Sequence, residues 1–143
     1  MTTLSVTLAG ILLAVSAIHV YWAAGGKAGL TAAIPHTGNE PAFTPGRIVT
    51  LLVAFALLGI ATLLLSLGYF RENLPEPLLT AARYAAYLAS AVLVLRVIGD
   101  FKFIGAFKKI RNSRFATLDT YIYNPLCLLL AIVFFKLAQH TGA

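Results

Sequence analysis

Polar positions along this chain are sparse and grouped, and four long apolar runs lie between them. The runs extend from about Leu4 to Ala24, Arg47 to Tyr69, Pro77 to Phe101 and Asp119 to Ala138. Each holds about 19–25 residues, the length an α-helix needs to cross a hydrocarbon core about 30 Å thick. Within a run the apolar residues are continuous and lack the two-residue alternation of a barrel strand. The pattern predicts an all-α polytopic membrane protein: residues 1–143 form a single domain, a bundle of four transmembrane helices. Val15-Ser16-Ala17 resembles a signal-peptide cleavage site, but no Lys or Arg precedes the first run, so an uncleaved span is expected.

Composition agrees with this reading. The 143 residues are 59% hydrophobic and 11% charged, with a mean hydropathy of +0.86. Soluble domains average about 45–50% apolar and about 25% charged residues. A 15.3 kDa globule cannot hide so much apolar surface from water, which excludes a soluble single domain and a disordered chain. Cys127 is single, so there is no intrachain disulfide and no thiolate metal cluster.

The net charge of +6 has no soluble basic face to act from, so nucleic acid is not an expected partner. Its placement is more informative. Lys27, Arg47, Lys102, Lys108, Lys109, Arg111 and Arg114, seven in all, flank or occupy the connections 25–46 and 102–118. Arg71, Lys136 and Arg83 belong to the opposite side. The positive-inside rule then predicts a multi-pass protein of the cell inner membrane, with both connections cytoplasmic and both termini periplasmic.

The two connections differ in character. Gly25 to Gly46 holds Pro35, Pro41 and Pro45 and five glycines; loops of that length act as functional lids or as plain linkers. Between Lys102 and Leu118, Phe103, Ile104, Phe107 and Ile110 fall at helical spacing among cations. That spacing predicts an interfacial helix whose basic residues meet anionic lipid headgroups.

Polar side chains inside a span are costly and therefore mark candidate sites. The first span carries His19 with Tyr21 and Trp22; the third carries Arg96 and Asp100; the fourth opens with Asp119 and Tyr123. His19, Arg96 and Tyr123 each fall about 7–9 Å cytoplasmic of the middle of their span, so three helices contribute to one polar layer. Ala82, Ala85 and Ala89 share the Arg96 face, which turns that face toward protein. Asp100 and Asp119 are the available partners of Arg96, and Asp119 is equally suited to capping its own helix. Pro125 removes a backbone donor two turns into the fourth span and predicts a kink there. Ser16 could join His19 and an aspartate in a nucleophilic triad only on paper, and a helix-packing role suits it better. His19 and His36 lack the further ligands a metal needs, so neither a metal nor a cofactor is expected.

The segments His19-Val-Tyr21-Trp22-Ala-Ala-Gly25-Gly26, Gly99-Asp100-Phe101 and Asp119-Thr-Tyr-Ile-Tyr123-Asn-Pro125-Leu126 resemble an uncharacterised family of small bacterial integral membrane proteins. That family is catalogued as a domain of unknown function, with four predicted helices. The resemblance implies the fold and topology and supplies no substrate.

Function is therefore read from the polar layer. The expected function is binding of an amphipathic or anionic small molecule or lipid in the cytoplasmic half of the bundle. Arg96 would hold the anionic group, Asp100 and Asp119 would orient Arg96 and His19, and Tyr21, Trp22 and Tyr123 would form the walls. His19 is the proton-transfer candidate, because its charge changes near neutral pH. A structural polar network in a scaffold or subunit is the first alternative. A small transporter is the second, and it would require a homo-oligomer, because four spans leave little room for alternating access.

Overall fold

A computed structural model describes residues 1–38 and 40–140. Helix α1 (Thr2–Ala23) is followed by a short α2 (Leu30–Ala33) and a two-residue antiparallel pair, β1 (His36–Thr37) and β2 (Glu40–Pro41). Helix α3 (Arg47–Gly68) leads through a 3₁₀ turn at Arg71–Asn73 into α4 (Glu76–Ile98). Then α5 (Arg114–Leu118), a π-helical turn (Asp119–Tyr123) and α6 (Asn124–His140) run on as one helix of 27 residues. Thus α1, α3, α4 and Arg114–His140 are four helices long and apolar enough to cross a membrane. The architecture is an all-α bundle.

Local chemistry sets the helix limits. Pro77 sits in the first turn of α4, where its missing N–H costs nothing, and Glu76 complements the positive end of the dipole. α4 stops at Ile98, short of the Phe101 limit expected from hydropathy, because Gly99 turns to φ +83°. The fourth long helix starts at Arg114, five residues before the expected Asp119. Ser113 caps it, accepting a hydrogen bond from the Ala116 N–H at 3.1 Å.

The segment between these helices is not the expected interfacial helix. It folds back on the end of α4: the Ala106 N–H donates to the Val97 carbonyl at 2.7 Å, and the Ile110 N–H to Lys102 at 3.0 Å. Gly99 and Gly105 cross in contact, both at positive φ, and a Cβ on either would strike the other strand of the loop. Helical spacing of apolar residues failed here because two glycines in left-handed conformations interrupt the helix.

Packing joins the long helices in pairs, α1 along α3 and α4 along α6, with α3 and α4 bridging the pairs. Each pair carries a buried serine bonded across it. Ser16 donates to the Ala54 carbonyl at 2.8 Å, and Ser90 to the Ala131 carbonyl at 2.9 Å. The core, including Leu8, Leu12, Leu64, Ala86, Leu130 and Phe134, lies mostly in the half of the bundle that holds the chain ends. On α4 the buried stripe is Ala86, Ser90 and Leu93. Ala82 and Ala89 flank it, whereas Ala85 is exposed, so the seam lies about one residue from the expected one.

Candidate functional site

At the opposite, loop end of the bundle a charged cluster replaces the apolar core. Its centre is Asp119, a fully buried carboxylate. One carboxylate oxygen accepts from Arg96 Nη2 at 2.6 Å. The other accepts from Lys108 Nζ at 2.9 Å and from the Gly105 N–H at 2.9 Å. Lys108 is itself 2% exposed and also donates to the Gly105 carbonyl and the Thr120 hydroxyl, at 3.1 Å and 2.7 Å. Arg96 completes its grip by donating Nη1 to Asn124 Oδ1 at 3.1 Å. Two formal cations surround one carboxylate, so the cluster carries a net formal charge of +1.

The π turn explains how Asp119 and Asn124 come to serve one arginine. Pro125 has no N–H for the Tyr121 carbonyl, and its ring crowds that oxygen. The chain widens instead, and the Asn124 N–H reaches back five residues to the Asp119 carbonyl. At about 100° per residue an α-helix would set Asp119 and Asn124 about 140° apart. The wider turn swings them toward one face, and Asn124 Nδ2 comes within 3.5 Å of the Asp119 carboxylate.

Arg96 is not closed off. Its side chain remains 29% exposed on the wall of a cavity of about 740 Å³ between the two helix pairs. His19, Tyr21, Trp22 and Tyr123 line the same cavity, with Phe115 and the Ala28–Ala33 segment as further walls. Five of the seven expected site residues therefore meet around one space. Their polar tips mostly turn to backbone: Trp22 Nε1 donates to the Ala28 carbonyl at 2.7 Å, and the Tyr123 hydroxyl to Ala32 at 3.0 Å. Through these bonds the first connection, including α2, is fastened over the cavity. His19 Nδ1 lies 2.8 Å from the Val15 carbonyl. A carbonyl only accepts, so the proton sits on Nδ1 and Nε2 is the acceptor nitrogen of the ring. The His19 ring also meets Trp22 edge-on, at 5.0 Å between centroids.

Of the two aspartates expected as partners of Arg96, Asp119 is one and Asp100 is not. Asp119 does not cap its helix, since Ser113 does; it is the direct partner of Arg96. Asp100 does not meet Arg96. It is exposed beyond α4, and one of its oxygens accepts from the N–H groups of Lys102, Phe103 and Ile104 at 2.7–2.9 Å. Partial burial pushes its carboxyl pKa up, but these backbone donors together outweigh that and hold it below the ordinary value.

Lys108 was assigned by sequence to the basic surface of the loop, and it is instead buried against Asp119. No spacing rule separates it from the exposed Lys109 beside it; only the fold-back at Gly99 and Gly105 aims one inward. Asn124 was hidden by the assumption of regular helix geometry, although Pro125 was the available signal. Among the described residues no three of His, Cys, Asp and Glu gather as a metal site would require.

The chain belongs to a family described as proteins of unknown function, DUF3995, matched over residues 12–134. No curated protein and no solved structure matches the chain.

Proposed function

We propose that this chain is a multi-pass membrane protein that binds an amphipathic or anionic molecule in the Arg96 cavity. The observation that carries the reading is the partial exposure of Arg96 on an apolar cavity wall, within a cluster of net formal charge +1. A cluster with one excess positive charge in a low-dielectric setting attracts an anion, and apolar walls accept the remainder of the ligand. A volume of about 740 Å³ falls within the range of about 300–1,000 Å³ typical of small-molecule sites. In this reading the connections 25–46 and 102–118 face the cytoplasm, both termini lie outside, and the cavity opens to the cytoplasmic half of the bilayer. His19 Nε2 is the group that exchanges a proton with the bound molecule, and Asp119 holds Arg96 in place.

Native mass spectrometry of gently extracted protein tests this. A retained small molecule should disappear in Arg96→Gln. Only bulk lipid, unchanged by that substitution, would end the proposal.

A structural role for the same cluster is the second reading, favoured by the complete enclosure of Asp119 between two cations and a backbone N–H. It predicts that Arg96→Gln lowers the thermal midpoint and alters nothing bound.

A further inference from the structure

A second cavity of about 320 Å³ lies on the other side of His19 and Trp22, beneath the first connection. Leu30, Ile34, Phe43, Val49 and Thr50 line it, and it shares His19, Trp22, Ala33 and Val53 with the larger one. We infer that the two cavities are successive chambers for a single-chain anionic amphiphile, its head at Arg96 and its tail running past His19 and Trp22 into the smaller chamber. The inference rests on the binding reading above and names the class of ligand.

Three observations combine. First, among the described residues the only Lys or Arg lining either chamber is Arg96, in the larger one, so charge complementarity fixes which end holds the anionic head. Second, three of the polar groups along the route are already engaged. Trp22 Nε1 is bonded to Ala28, His19 Nδ1 to Val15 and the Thr50 hydroxyl to the Gly46 carbonyl at 3.1 Å. The partition therefore offers mainly ring faces and aliphatic surface, which suit methylene groups and penalise a second polar head. Third, the chambers lie side by side, with His19, Trp22, Ala33 and Val53 as shared walls, the adjacency one extended chain requires. The head chemistry required is a compact anion, either a carboxylate or a phosphate monoester.

The test is competition by native mass spectrometry, using the full chain in a nonionic detergent. Unbranched carboxylates of graded chain length are offered as one mixture, alkyl phosphates as another, and a two-chain phosphatidylglycerol as a third probe. Wild type should retain the longer chains, in whichever head series binds. Val49→Trp, which fills the small chamber, should lower the long-to-short ratio by about tenfold, since an extra methylene in a filled pocket is discriminated by at least that much. Ile34→Phe fills the same chamber from another wall and should act alike if Val49→Trp does not fold. Arg96→Gln should lose all lengths.

An unchanged ratio in the plugged variants, with binding still dependent on Arg96, overturns the tail assignment and leaves the head site standing. Preference for the two-chain lipid overturns the single-chain class. Binding indifferent to Arg96 removes the underlying site as well.

Discussion

The half of the bundle that holds the chain ends and the half that holds the long connections solve opposite problems. In the first, leucines, alanines and Phe134 interlock into a core with buried small residues at helix contacts. In the second, the helix pairs separate around a cavity, and three buried or part-buried charges tie α4, the loop after it and the fourth long helix together. Lipid is as apolar as leucine, so packing the first half gains from close contact more than from escape from solvent. Polar groups in the second half have no such alternative, because each must find a partner inside the protein. Stability is thus shared between the halves, while the proposed recognition is confined to one.

The sharpest way to break this comparison is Asp119→Ala. It leaves Arg96 and Lys108 facing each other without their anion, and breaking such a buried pair costs about 3–5 kcal/mol. Thermal unfolding in detergent should show that loss, together with loss of any species whose retention depends on Arg96. Leu64→Ala, in the fully buried core of the other half, should cost about 2–4 kcal/mol while leaving the bound species unchanged. If both substitutions remove the ligand equally, the halves are not separable.

A finer contrast lies within one dipeptide. Lys108→Ala removes a buried ammonium and its hydrogen bonds to three acceptors and should cost about 1–3 kcal/mol. Lys109→Ala, on the exposed neighbour, should stay within about 0.5 kcal/mol. Equal midpoints for the two variants would contradict the inward turn of Lys108.

The smallest effect is expected at Asp100, where Asp100→Ala removes the acceptor of three backbone donors and should cost about 1 kcal/mol at neutral pH. Its carboxyl pKa is lowered in the folded chain. The contribution is therefore complete above the ordinary value of 3.8 and is lost as pH falls through the lowered folded value. The difference in thermal midpoint between wild type and Asp100→Ala should narrow on acidification over that interval and hold constant above it.

Much of the architecture was legible in the sequence because a membrane-spanning helix must be long, apolar and self-satisfying in its backbone bonds. Hydropathy alone therefore locates four such helices, and scarcity alone marks His19, Arg96 and Asp119 as exceptions. Tyr21, Trp22 and Tyr123 were equally visible, as amphipathic aromatics beside those exceptions. The loop 99–113 was misread, because apolar spacing was taken as helical without regard to glycine conformation. Asp100 was misplaced for the same reason: a carboxylate one turn beyond Arg96 in a continuous helix becomes a turn acceptor once the helix ends at Ile98.

By itself, then, the sequence determined the number of long apolar helices and which polar residues lie at the loop end. Composition and spacing act locally, and both survive translation into any packing of the four helices. Only the tertiary structure decided who pairs with whom. The pairing of Asp119 with Lys108 depends on a loop that doubles back at two glycines, and its approach to Asn124 on a π turn forced by Pro125. The cavity beside Arg96 depends on the separation of two helix pairs. The cavity is set by contacts distant in sequence and the loop and π turn by local departures from helix geometry, and periodicity carries information about neither.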